Sequence, residues 1–114
     1  MGSAQTYPLV KPNVVFHSTS TTTGNGTIWD VGASKTITLS GKGTSTSRTV
    51  EFHGIDDNGT DSLINGFDKD FEQATGFTIN GAVWQISVEG YSQFYCKITA
   101  IAGGNETIVG RATI

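Results

Sequence analysis

Four stretches of the chain alternate apolar and polar residues with a period of two: Ile37-Thr38-Leu39, Val50-Glu51-Phe52, Trp84-Gln85-Ile86-Ser87-Val88 and Phe94-Tyr95-Cys96-Lys97-Ile98-Thr99-Ala100-Ile101. Successive side chains of a strand point to opposite faces, so this pattern builds sheet with one buried and one polar face. A length of 114 residues suits one domain with its own core. Gly is frequent at 15 residues, and Ser and Thr crowd 18–23 and 44–49. β-branched Thr favours strands, and Gly and Ser favour turns.

Turn signals recur at roughly the 8–12-residue spacing of an all-β sandwich or barrel. Strands are expected at 13–17, 27–31, 35–40, 47–54, 75–79, 83–88, 94–101 and 107–114. Gly24-Asn25-Gly26 and Asp56-Asp57-Asn58-Gly59-Thr60-Asp61 read as polar turns, and Gly103-Gly104-Asn105 as the turn of a last hairpin. Between Ser62 and Gln73 the pattern is irregular. Phe67 and Phe71, four apart, suit a helical turn or a strand with a bulge. The expected fold is all-β: a single antiparallel β-sandwich of about eight strands over 13–114, jelly-roll or immunoglobulin-like. Residues 1–12, with Tyr7-Pro8 and Lys11-Pro12, read as an extended N-terminal arm.

Net charge is −3, and the seven basic residues are scattered singly. No stripe exists to neutralise phosphates or to hold an anionic membrane, so neither nucleic acid nor a membrane surface is an expected partner. The first six residues lack a basic n-region and an apolar h-region, and no run is long enough to span a bilayer. Synthesis in the cytoplasm without a signal peptide is the expectation.

Candidate chemistry is sparse. The lone Cys96 is in phase with Phe94 and Ile98, so core packing is the expected role. His17 and His53, each placed at a strand end, lack a third ligand for zinc. Asp56-x-Asn58-x-Thr60 echoes a calcium loop, but Asp61 and Phe67 stand where an EF-hand needs Gly and Glu. A solvated hairpin loop fits better, with a looser calcium site at Asp56, Asp57 and Asp61 left open. Asp68, Asp70 and Glu72 alternate along one expected strand face, where a solvated surface outweighs glycoside hydrolysis. No catalytic residue, cofactor or metal is expected, and the protein reads as a non-enzyme. Trp29, Trp84, Tyr7, Tyr91 and Tyr95 are candidates for a sugar-stacking platform. Trp84 is in phase with Ile86 and Val88 and so belongs to the core. Tyr95 is out of phase with Phe94 and Tyr91 follows a turn, so both are expected at the surface.

The order of elements carries a more specific signal. Thr23-Gly24-Asn25-Gly26-Thr27, Trp29-Asp30-Val31-Gly32 and Lys35-Thr36-Ile37-Thr38-Leu39 are followed by Thr49-Val50-Glu51-Phe52-His53-Gly54. Val88-Glu89-Gly90-Tyr91-Ser92-Gln93-Phe94 and Val109-Gly110-Arg111-Ala112 come near the end. Over 13–113 the chain resembles small β-sandwich proteins encoded in the structural-gene regions of tailed bacteriophages and prophages, departing from them at 61–73. That resemblance implies a virion component, such as a capsid decoration, neck or tail accessory protein, with other virion proteins or its own copies as partners. Release by lysis would then replace a signal peptide. The arm residues Tyr7, Pro8, Leu9 and Val10, with Tyr91 and Tyr95, are the expected partner-binding positions. The alternative function is a carbohydrate-binding module for host-surface glycans.

Overall fold

The computed structural model describes residues 13–114; the expected arm, with Tyr7, Pro8, Leu9 and Val10, lies outside the described residues. Eleven strands run in chain order: β1 (Asn13–Ser20), β2 (Trp29–Asp30), β3 (Thr36–Lys42), β4 (Ser47–Ile55), β5 (Asp61–Leu63), β6 (Gly66–Phe67), β7 (Gln73–Ala74), β8 (Gly76–Phe77), β9 (Val83–Ser87), β10 (Gln93–Ala102) and β11 (Glu106–Thr113). The long strands fall where alternation placed them. The count exceeds eight because the stretch from 61 to 77 breaks into four pieces of two or three residues, and the strand expected at 75–79 shrinks to Gly76–Phe77.

Two antiparallel sheets pack face to face. The larger has the order β1-β11-β3-β9-β6-β7; the smaller has β2-β10-β4-β5, with β8 also on β4. The inward residues of both faces form one core. Phe52, Phe94, Ile37, Ile86, Ile98 and Ile108 are fully buried. Each large apolar side chain contributes roughly 1.5–3 kcal/mol on burial. Phe16 meets Phe94 edge to face, with ring centroids 5.6 Å apart. Register in β1 slips between Val15 and His17, and this bulge turns both Phe16 and His17 inward.

The turn at Gly103-Gly104-Asn105 is not a hairpin. It carries the chain from β10 in the smaller sheet to β11 in the larger, and β3 passes to β4 in the same way. Glycine-rich turns suit sharp reversals within and between sheets alike, so residue type alone did not separate them. The two arches lock together: Ser45 N donates to the Asn105 carbonyl at 2.9 Å and Asn105 N to Thr44 Oγ1 at 3.1 Å. Gly104 has φ +149°, and a Cβ there would strike the Thr44 backbone at 2.7 Å, so only glycine fits.

The irregular stretch is neither a helical turn nor a single bulged strand. It crosses between the sheets: β5 pairs with β4, β6 and β7 join the larger sheet beside β9, and β8 returns to β4. This path closes one side of the sandwich. A Cβ at Gly76 would collide with the Val50 carbonyl, which sets how closely β8 approaches β4.

Candidate functional site

Strand alternation sends one set of side chains outward from the larger sheet. On β1, β11 and β9 that set includes valines. Val15 pairs with Val109, Val109 with Ser40 on β3, and Ser40 with Val83, so one registered row crosses four strands. The valines are 50%, 40% and 51% exposed, far beyond a core position. The next row runs Asn13, Arg111, Thr38, Gln85 and Phe67. Phe67 is 41% exposed, and Phe71, on the turn that follows, is 84% exposed.

That turn is tightly built. Asp68 Oδ1 accepts the N–H of Asp70 at 2.8 Å and of Glu72 at 3.0 Å. Phe71 has φ +62°, a left-handed conformation that costs a bulky residue roughly 1–2 kcal/mol. Asp68, Asp70 and Glu72 therefore do not line one strand face, contrary to the alternation. Asp68 caps the turn, and Asp70 meets Lys69 on the surface at 3.1 Å. Beside this turn lies an open groove of about 460 Å³, walled by Phe77, Ile79, Val83 and Trp84 and edged by Asp68 and Asp70. Ile79 at its rim is 69% exposed, and the buried Trp84 Nε1 has no partner among the described residues.

The outer face of the smaller sheet is built oppositely. On β4, Glu51 and His53 project outward beside Tyr95 of β10. His53 Nε2 lies 2.9 Å from Glu51 Oε1 and Nδ1 lies 2.7 Å from Asp61 Oδ1, so each ring nitrogen faces a carboxylate oxygen. The Tyr95 ring stacks on His53 at 4.8 Å, and its hydroxyl donates to Asp61 Oδ2. Burial alone pushes the Asp61 carboxyl up, but the hydrogen bonds from Tyr95 and His53 and the charges of His53 and Lys97 outweigh it, holding it below its ordinary value. Burial, with the neighbouring Asp61 carboxylate, pushes the Tyr95 phenol up to about 12.

The structure places several of the expected surface rings differently. Tyr95 points away from Phe94 as its phase requires, yet it is only 5% exposed because β5 and His53 cover it. Tyr91 is half-buried: its ring packs over Gly54 and against the core. Trp29 meets Phe16 edge to face, and Trp84 packs on Phe52. These rings form no exposed platform; the exposed aromatics among the described residues are Phe67 and Phe71.

Both histidines lie within strands rather than at their ends. His17 is buried, with Nε2 2.6 Å from the Cys96 carbonyl. Cys96 itself is fully buried, and burial pushes its thiol well up, which suits packing rather than nucleophilic attack. The loop carboxylates diverge. Asp56 Oδ1 accepts Asn58 N and Thr60 N, each at 2.9 Å, Asp57 accepts the Ser92 hydroxyl at 2.9 Å, and Asp61 faces His53. The hairpin-loop reading accounts for them. Among the described residues no group of three His, Cys, Asp or Glu is placed to hold a metal ion.

Two features escaped sequence reasoning. Arg48 and Glu106 form an ion pair between the sheets, with Nε 3.2 Å from Oε1 and Ser45 Oγ bridging both. Their signal was phase, since Arg48 keeps step with Val50 and Phe52, and Glu106 with Ile108 and Ala112. The outward valines also carried a signal. Val14-Val15-Phe16, Ile108-Val109 and Val83-Trp84 are consecutive apolar residues, and a strand must turn one of them outward.

Comparison with known proteins places this architecture. The prophage-derived protein YomS of Bacillus subtilis strain 168 is 26% identical over 94 residues, covering 82% of this chain and 80% of YomS. The crystal structure of YomS matches with a TM-score of 0.81 at 21% identity, covering 95% of this chain and 100% of that one. YqxG of the same organism is 29% identical over 101 residues, covering 88% of this chain but only 34% of YqxG. The crystal structure of the PBSX exported protein XepA matches with a TM-score of 0.85 at 23% identity over 88% of this chain and 36% of XepA. The chain thus spans about a third of the length of YqxG and of XepA. The two structural likenesses show the shared sandwich. The XepA family model matches residues 10–112, nearly the whole chain, and the protein belongs to the XepA family.

Proposed function

We propose that the chain is a phage-encoded, non-enzymatic structural or accessory protein of the virion that acts by protein–protein assembly. The observation that carries this reading is the registered apolar row Val15–Val109–Ser40–Val83 on an open sheet face, flanked by Phe67 and Phe71. A contiguous exposed apolar patch on a small domain marks a contact surface. The prophage origin of YomS and the exported nature of PBSX XepA, as their names state, support a phage product that works outside the cytoplasm. The partner is another virion protein or a further copy of this chain, and a symmetric shell would let weak contacts add. The polar face opposite, with its groups satisfied by one another, offers a partner less.

The test is quantitative mass spectrometry of purified phage particles. The chain is expected in the particle fraction in fixed stoichiometry, and Val83→Asp is expected to remove it while the protein still folds. A wild-type chain found wholly in the particle-free lysate would overturn the virion role.

A further inference from the structure

Asparagine is followed by glycine at Asn25-Gly26, Asn58-Gly59, Asn65-Gly66 and Asn80-Gly81. In such a pair the glycine nitrogen can attack the asparagine Cγ, because no side chain hinders its approach. The N–Cγ bond forms and the Cγ–Nδ2 bond breaks. The glycine amide proton leaves with Nδ2 as ammonia, and water then opens the cyclic imide to aspartate or isoaspartate. We propose that Asn25 is the site of this self-modification in the folded chain, and that the fold protects Asn58, Asn65 and Asn80.

Attack needs a backbone N–H that is not already bonded and a chain free to bend towards the side chain. Gly59 N donates to the Asp56 carbonyl at 2.9 Å, and Asp56 Oδ1 accepts Asn58 N and Thr60 N on either side of it. Gly81 N donates to the Gly41 carbonyl at 2.7 Å, while Asn80 Oδ1 is itself held by Gly43 N at 3.0 Å. Gly66 is buried within β6, paired with Ile86 of β9 on one side and Ala74 of β7 on the other. Gly26 differs from all three. It lies outside the strands and is exposed, as is Asn25, and neither the Gly26 N–H nor the Asn25 amide bonds to any of the described residues. The glycine is also fixed in place, since it has φ +64° and a Cβ there would strike the Phe16 carbonyl. The fold therefore keeps the least hindered nucleophile beside Asn25.

The modification would act on a tie between the sheets. Gly24 exchanges two backbone bonds with Ile98 of β10, at 3.0 and 2.9 Å, and Thr27 N donates to the Phe16 carbonyl of β1 at 3.0 Å. β10 belongs to the smaller sheet and β1 to the larger. Isoaspartate routes the main chain through the former side-chain carbon, so one extra methylene enters between these two anchors, and one of them must open. Neither anchor belongs to the outward valine row, so the assembly face is left as it was.

The test incubates the full-length folded chain in H₂¹⁸O at mildly alkaline pH beside a urea-unfolded sample. Digestion and mass spectrometry then read heavy-oxygen uptake at each asparagine. Folded, Asn25 is expected to convert about tenfold faster than Asn58, Asn65 or Asn80, the rate ratio that one retained backbone hydrogen bond supports. Unfolded, the four rates should converge. Equal rates in the folded chain, a faster site among the other three, or an inert Asn25 would each overturn the assignment. Amide exchange of the purified isoaspartate form reads the consequence. Ile98 or Thr27 is expected to lose protection there, whereas Asn25→Asp, with the charge but no added methylene, keeps both protected. Full protection in the isoaspartate form, or equal loss in Asn25→Asp, would overturn the unlatching by an inserted methylene.

Discussion

The two outer faces of this sandwich follow the same alternation and end in opposite states. On the smaller sheet the outward residues Glu51, His53 and Tyr95, with Asp61 laid over them, satisfy one another's hydrogen bonds. On the larger sheet the outward residues include Val15, Val109, Val83 and Phe67 beside Ser40, Thr38, Gln85 and Arg111, and the apolar ones stand exposed. The first face holds its own edge strand in place; the second leaves its apolar surface exposed. Alternation decides which residues face out, but their chemistry decides whether that face is complete.

Predictions scale with how much each region is self-satisfied. The largest effect is expected between the two faces, where Arg48 and Glu106 tie the sheets. Arg48→Leu leaves the buried Glu106 carboxylate uncompensated and should cost about 3–5 kcal/mol in urea unfolding. Arg48→Leu with Glu106→Leu should recover most of that loss; an equally unstable double variant would show that shape, not charge pairing, matters there.

On the polar face, Asp61→Ala strips Tyr95 and His53 of their acceptor and should cost about 1–3 kcal/mol. The pH signature separates this from simple truncation. Asp61 has a folded value below its unfolded one, so its contribution is complete above the ordinary carboxylate range and lost as pH falls through the lowered value. Tyr95 is raised from 10.0 to about 12, so its contribution is complete below 10 and lost as pH rises through about 12. Melting temperature against pH should therefore lose part of its acid limb in Asp61→Asn and of its alkaline limb in Tyr95→Phe. Limbs identical to wild type would remove the clamp as a source of stability.

A smaller and opposite effect is expected at the turn beside the apolar face. Phe71→Asn relieves the left-handed backbone and should raise stability by about 1 kcal/mol. A loss of stability instead would mean that the Phe71 ring holds the turn. Smallest of all is Val83→Asp, which should move unfolding by no more than about 0.5 kcal/mol in either direction while abolishing assembly. A destabilisation as large as that of Asp61→Ala would erase the distinction between the two faces.

The long strands were legible because period two is a local signal, and Phe52, Ile86 and Phe94 sit inward as their phase required. Tyr95 shows the limit. Phase placed it on the right face, but its burial depends on β5, which arrives from eight residues beyond His53. The stretch from 61 to 77 was opaque because two-residue strands are too short to show a period, and their sheet is chosen by close packing such as that of Gly76 on Val50. The valine row was written in consecutive apolar pairs, but its continuity exists only after β1, β11, β3 and β9 come into register.

The arches have a kinetic consequence. Because β10 and β11 separate into different sheets, β11 pairs instead with β1 and β3, strands from the other end of the domain. During synthesis β1 has no ladder to join until β11 has left the ribosome. Folding must then close a loop nearly as long as the domain, which places it among slow, non-local topologies with times of about milliseconds to seconds. Until that closure the core side of β1, with Val14 and Phe16, stays open to water and to wrong partners.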